Sequence, residues 1–299
     1  MFIVHFPTVA GTGSLVVGHR QSRDDSVRQI ESLFLAIKPD RMTLANRVPT
    51  MPKLVTVALF LMISLGVLFS LLTTNANPTS NEKQTDVRIV VLGDSITKGV
   101  RTGVAATEIY RHLIEQELST PEHTVEVLNE GIGGERTDQA IKRLQKTVID
   151  RNPDIVTVMY GTNDSYVDQG KTESRLSVEE YRSNLEKIVE QMKQAGITVV
   201  LMTEPRWGSK AANGLGENPN VRLEKYMDAC RKVAEKMGVS LVDNYSAWKE
   251  AEDAGANLSS WTTDECHPNP KGHEKLATTI VPVVRPLVEN LKQSAVPSN

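Results

Sequence analysis

The sequence predicts an α/β fold, a parallel β-sheet covered by helices on both faces. Two observations predict it. Short runs rich in Val, Ile and Leu recur from about residue 86 onward. They are nearly continuous rather than alternating, as strands buried on both faces are. Segments of helical periodicity separate them, and strict alternation of strand and helix calls for parallel strands joined by right-handed crossovers.

The elements follow in order. Val87–Leu92 is the first strand, and a helix around Glu108–Leu118 turns Ile109, Leu113 and Ile114 inward. Val125–Asn129 is the second strand, followed by a helix around Thr137–Ile149 carrying Ile141, Leu144 and Val148. After the third strand, Ile155–Tyr160, a helix spans Ser177–Gln194 with Val178, Tyr181, Leu185, Ile188 and Met192 on one face. Its start, "SVEE", reads as a capping box with Ser177 as cap and Glu180 three residues on. Thr198–Thr203 is the fourth strand. The next helix shows Leu223, Tyr226, Cys230, Val233 and Met237 as one stripe, which makes Cys230 a small buried hydrophobe. A disulfide to Cys266 would need a Cα proximity that spacing does not establish. Ser240–Val242 is the fifth strand. A last helix, about Lys271–Leu291, carries Leu276, Ile280, Val284 and Leu287, with Pro282 and Pro286 expected to interrupt or end it.

The chain has 299 residues, 39% of them hydrophobic and 24% charged, room for one domain of about 200–250 residues plus extra segments. Residues 77–299 hold 27 Lys and Arg against 33 Asp and Glu, a net charge of −6. A mildly acidic domain without a basic stripe argues against nucleic acid as a partner. "LVTVALFLMISLGVLFSLL", Leu54 to Leu72, runs 19 residues without a charge, enough to span a bilayer. No face of it is polar, so it is not a core helix. It reads as a cleaved signal peptide or an uncleaved anchor over 54–76, with the basic amino-terminal side in the cytoplasm. The expected organisation is therefore an extension or mis-assigned start over 1–53, the signal or anchor, a linker over 77–85, an exported domain over 86–292 and a flexible tail over 293–299. Contact with a membrane is expected only through the uncleaved segment.

Functional groups gather at the carboxyl ends of the strands in such folds. The first strand ends in "GDS", the second in "NEGIGGERT", the third in "YGTND" and the fourth in "TEPRWGSKAANGLGENPN"; "DECHPNPKGH" lies beyond the fifth. Ser95 in "GDS" needs a base to become a nucleophile. Of six histidines, His267 alone follows the final strand with an acid, Asp264, three residues before it. That carboxylate is placed to hold the imidazole tautomer, although a capping acid beside a loop histidine looks the same in sequence. An oxyanion needs N–H donors. Gly134, Asn163 and the Ser95 N–H are candidates, while turn and cap roles suit the same residues. "GIGGER" fails as a dinucleotide fingerprint because Arg136 stands where a glycine is required. G-x-S-x-G, the nucleophile elbow, is missing. Asp264, Cys266 and His267 lack a fourth ligand at metal-like spacing. "NDS" at Asn163 is a glycosylation sequon in a poor setting for an acceptor.

Together these blocks resemble the SGNH hydrolases, the GDSL-type esterases and lipases. "GDSIT" from Gly93, "NEGIGGERT" from Asn129, "GTND" from Gly161 and "DECH" from Asp264 stand in the family's order, over about Asp86 to Leu291. The resemblance implies Ser95 as nucleophile, Gly134 and Asn163 with Ser95 as oxyanion hole, Asp264 as orienter and His267 as base. It implies a flavodoxin-like three-layer α/β/α sandwich with five parallel strands, and a serine esterase needing no cofactor or metal. One departure is Gly134-Glu135, where the family more often has Gly-Asp.

The loop Glu204–Asn220 should overhang the site as a flexible lid or specificity loop. Within it Arg206 could meet an anionic group, and Trp207 could stack on a sugar or an acyl chain, or pack under the loop. Tyr166, just after "GTNDS", is a weaker candidate of that kind. An exported acidic domain with no apolar run for docking lipid favours a small acyl group on a carbohydrate or other polar alcohol. The alternatives are a lysophospholipase or thioesterase-type lipid hydrolase, and a membrane-anchored acyltransferase using the same triad.

Overall fold

Five strands lie side by side in the order β2-β1-β3-β4-β5, all parallel. They are β1 (Val87–Gly93), β2 (Val125–Gly131), β3 (Ile155–Met159), β4 (Thr198–Met202) and β5 (Ser240–Val242). The computed structural model describes residues 87–121 and 123–295. The extension, the apolar segment and the linker, with residues 296–299 of the tail, lie outside the described residues. Among the described residues no helix is long and apolar enough to cross a membrane.

Helices join the strands. They are α1 (Ser95–Lys98), α2 (Tyr110–Leu118), α3 (Thr137–Ala140), α4 (Leu144–Thr147), α5 (Thr162–Ser165), α6 (Val178–Gln194), α7 (Asn220–Met237), α8 (Asn244–Asp253) and α9 (Pro270–Ala295). Side chains leave β1 alternately for opposite faces, as the pleat dictates. Val90 and Leu92 enter one apolar cluster with Leu185 and Ile188 of α6 and Leu223 and Cys230 of α7. Val87, Ile89 and Val91 enter the other, with Ile114 of α2, Trp248 of α8 and Leu276 and Ile280 of α9. Burial on both faces is why the strands read as continuous apolar runs. It also separates the cysteines: both are free and buried, Cys230 in the first cluster and Cys266 in the second.

Two helices differ from expectation. The one predicted over Thr137–Ile149 is broken into α3, a 3-10 turn Ile141–Arg143, α4 and a second 3-10 turn Ile149–Arg151. The backbone opens at Arg143 (φ −116°, ψ −3°), whose guanidinium is anchored on Glu135 and the Glu130 carbonyl. By contrast α9 runs unbroken through Pro282 and Pro286, into the segment expected as a flexible tail. Both prolines and Thr278 are exposed, so the carbonyls left without an N–H, those of Thr278 and Pro282, face water. At α6 the Ser177 hydroxyl accepts the Glu180 N–H while Glu180 accepts the Ser177 N–H.

Candidate active site

Ser95 stands where β1 gives way to α1. A Cβ on Gly93 would lie 2.1 Å from Thr97 Oγ1 and 2.7 Å from the Met159 carbonyl, so only glycine lets the chain turn back this closely on the sheet. Asp94 caps α1, its Oδ1 accepting the Ile96 N–H at 2.8 Å. Register pairs Gly93 with Gly131 of β2 and with Met159 of β3. The loops after those two strands therefore flank Ser95 at the point where the strand order reverses.

His267 comes from 172 positions downstream. Its loop is closed by a bridge between Thr262 and Pro268 and by the Thr263 N–H donating to the His267 carbonyl at 2.8 Å. Inside the loop Glu265 takes a left-handed φ of 68°. Asp264 Oδ1 accepts the N–H groups of Cys266 and His267 at 3.2 and 2.9 Å. His267 Nδ1 lies 2.9 Å from Asp264 Oδ2, and Nε2 lies 2.8 Å from Ser95 Oγ. With the proton on Nδ1, Nε2 offers its lone pair to the serine hydroxyl. Burial lowers the His267 pKa below its ordinary value; the Asp264 hydrogen bond and charge work against this, and the Arg101 charge adds to it. Burial pushes the Asp264 carboxyl up, but the bonds from His267 and Cys266 outweigh it and hold it below the usual range. The pair therefore stands as neutral imidazole and carboxylate at neutral pH.

Amide donors lie on both sides of Ser95. Its own N–H opens α1, where the first turn has no partner within the helix. Gly134, after β2, has φ 77°, a conformation that glycine adopts without cost. Its loop is anchored by Glu135, the residue that departs from the family's usual acid. Glu135 accepts from Arg143 Nε and Nη2 at 2.8 and 2.6 Å and from the Tyr160 hydroxyl at 2.6 Å. The longer acid thus reaches a bidentate partner and a buried phenol. Asn163, in α5, donates through Nδ2 to Asp94 Oδ2 at 2.8 Å, which leaves its second N–H for another acceptor. Asp164, beside it, accepts from the N–H and hydroxyl of Thr137 at 3.0 and 2.6 Å and ties the second loop to the third.

Asp94 does more than the local turn-forming the sequence suggested, since its second oxygen orients Asn163 from 69 positions away. It is fully buried, and burial together with the Asp164 charge raises its pKa to about 7 against the bond from Ile96. Glu204, at the end of β4, is equally buried; burial and the charges of Asp94 and Asp164 push its pKa well up. In the sequence Glu204 is only the start of a loop. Arg101, which pairs with Asp264 Oδ2 at 2.8 Å, and Arg175, which reaches Asn163 Oδ1 at 3.2 Å, are equally unmarked there. No motif carries these three.

The substrate-binding candidates fare unequally. Tyr166 and Trp207 stack, with ring centroids 5.9 Å apart and planes 23° from parallel. Trp207 is half-buried and packs against both apolar clusters. Arg206 arrives with its charge already paired, on Glu252 at 3.0 Å and the Tyr245 hydroxyl at 2.8 Å. The loop itself is tied down rather than free as a lid would be. Trp207 and Asn220 exchange two hydrogen bonds, Asn218 Nδ2 donates to the Gly208 carbonyl, and the Gly208 N–H donates to the Glu265 carbonyl at 2.7 Å. Cys266 faces the core rather than Asp264 and His267 as a co-ligand. His273 is buried within α9, and His5 and His19 lie outside the described residues.

A hydroxyl, an imidazole and a carboxylate in hydrogen-bonded series, with amide donors on both sides of the hydroxyl, define a serine hydrolase. Residues 91–275 match the GDSL-like lipase/acylhydrolase family, and the chain belongs to that family, whose members hydrolyse esters. It is 27% identical over 219 residues to the human isoamyl acetate-hydrolyzing esterase 1 homolog, covering 68% of this chain and 84% of that one. It is 26% identical over 204 residues to an acetylxylan esterase of Geobacillus stearothermophilus, covering 64% and 90%. Among solved structures, a lipase/acylhydrolase from Enterococcus faecalis shares the fold with a TM-score of 0.56 at 24% identity, covering 67% of this chain and 96% of that one.

Proposed function

We propose that this enzyme removes small acyl groups, acetyl foremost, from a carbohydrate or other polar alcohol through an acyl-enzyme on Ser95. The observation that carries the reading is the unbroken series from Ser95 Oγ through His267 to Asp264. His267 Nε2 takes the hydroxyl proton as Oγ attacks the ester carbonyl. The oxyanion is held by the N–H groups of Ser95 and Gly134 and the Asn163 amide. His267 then gives the proton to the leaving alcohol, and water repeats the cycle on the acyl-enzyme. Two relatives support a small acyl half, since the names of both carry acetate while the alcohols differ. Ile132, exposed beside the Gly133 that faces Ser95, offers a modest apolar contact for such a group. Export is proposed as well, on the uncharged run Leu54–Leu72; amino-terminal sequencing of the mature protein tests it.

The function is tested with p-nitrophenyl esters from acetate to dodecanoate and with acetylated xylo-oligosaccharides, using Ser95→Ala as control. The acetate should be preferred, and acetate should be released from the sugars. Ser95→Ala should lower kcat by ~10³-fold or more with an unchanged unfolding midpoint. Activity kept by pure Ser95→Ala protein sinks the nucleophile, and a preference for long acyl chains sinks the substrate class.

A further inference from the structure

We propose that Arg175, which belongs to none of the motifs of the site, is a positioning residue that locks the Asn163 amide with its N–H toward the reacting carbonyl oxygen. The inference rests on Asn163 being an oxyanion donor.

A side-chain amide is ambiguous, because turning it over exchanges an acceptor for two donors. In the flipped state Asn163 would present oxygen to the developing oxyanion and repel it. Two contacts decide the orientation here: Nδ2 donates to Asp94 Oδ2 at 2.8 Å, and Oδ1 accepts from Arg175 Nη1 at 3.2 Å. Asp94 alone is a poor lock. Its pKa of about 7 leaves it partly protonated at neutral pH, and a protonated carboxyl can donate to a flipped amide as readily as it accepts from the correct one. A guanidinium only donates and keeps its charge, so it accepts one orientation of its partner and rejects the other. Its charge also draws electrons toward Oδ1, which makes the Nδ2 hydrogens better donors.

Arg175 is itself held for this task. Nε and Nη2 grip Asp168 at 3.0 and 2.7 Å, and the guanidinium carbon lies 5.0 Å over the centre of the Tyr166 ring. Its own N–H donates to the Tyr166 carbonyl at 3.0 Å. With the fork occupied and one face covered, Nη1 is the nitrogen left to point at Asn163. Tyr166, first a candidate for touching substrate, thereby acts in supporting this arginine.

A double-mutant cycle with p-nitrophenyl acetate tests the inference, using the wild-type chain, Arg175→Met, Asn163→Ala and the double variant. Asn163→Ala should lose roughly 10²–10³ in kcat, the effect of removing an oxyanion donor, and Arg175→Met roughly tenfold with little change in KM. The double variant should be no slower than Asn163→Ala, because Arg175 has nothing left to orient. Arg175→Lys, which keeps a donor but not the fork, should fall between wild type and Arg175→Met; it carries the comparison should Arg175→Met fail to fold. Multiplying losses in the double variant, an unchanged kcat in Arg175→Met, or a rise in KM alone would overturn the proposal. Full activity in Asn163→Ala removes the oxyanion reading itself and is seen in that single variant.

Discussion

At the scale of single residues, the chemistry depends on charges that touch the triad from outside it. Arg101 reaches Asp264 Oδ2 at 2.8 Å, and its positive charge opposes protonation of His267. The proposed base, His267, would work as neutral imidazole, so kcat/KM should fall as pH drops through its pKa, which lies below the ordinary histidine value. Arg101→Gln removes a charge that disfavours imidazolium, so the acid limb of the profile should move to higher pH. A limb that stays in place in Arg101→Gln rules out this role for Arg101. Ser95, Gly134, Asn163, Asp264 and His267 were legible as candidates because each sits in a short motif at or beyond the end of a readable strand. Arg101, Arg175 and Glu204 were not, since their places beside Asp264, Asn163 and Asp94 are set by the fold, and a lone arginine or glutamate carries no local signal of its neighbour.

At the scale of elements, α9 concentrates two features that run against helix stability. Pro282 removes an N–H from an exposed turn. Pro282→Ala should restore the bond to the Thr278 carbonyl and stabilise the fold by about 1–3 kcal/mol in urea unfolding; no gain would mean that water satisfies that carbonyl fully. His273, on the opposite face, is wholly buried with neither ring nitrogen bonded among the described residues. Burial lowers its pKa to about 4. As pH falls from about 6.5, the unfolded chain gains a proton that the folded chain refuses, and stability drops by about 1.4 kcal/mol per pH unit. His273→Leu should remove this slope, gaining about 2 kcal/mol on the wild type between pH 6.5 and 5. Parallel curves for the two proteins would exclude His273 as the cause. Five strands and the long helices were readable from buried runs and apolar stripes. The breaks in the predicted Thr137–Ile149 helix were not, because the anchoring of Arg143 on Glu135 is tertiary.

At the scale of the whole molecule, the sheet has β1 in its interior, and among the described residues both its neighbours and both apolar clusters are supplied by residues after 86. A chain beginning at Ser80 should therefore fold and hydrolyse p-nitrophenyl acetate with unchanged kcat/KM; insoluble or inactive protein would show that the preceding residues complete the fold. The sequence made this layered architecture readable, since alternation and chirality leave few arrangements, whereas the hydrogen bonds that tie down the Glu204–Asn220 loop had no counterpart in composition. The 172 positions between Ser95 and His267 have a consequence for the timing of synthesis. His267 follows Ser95 by 172 positions, so a nascent chain carries Ser95 as an inert hydroxyl until His267 has been made. Reactivity waits for the segment bearing His267 to join the fold, and a prematurely terminated product lacking His267 has no base to activate Ser95.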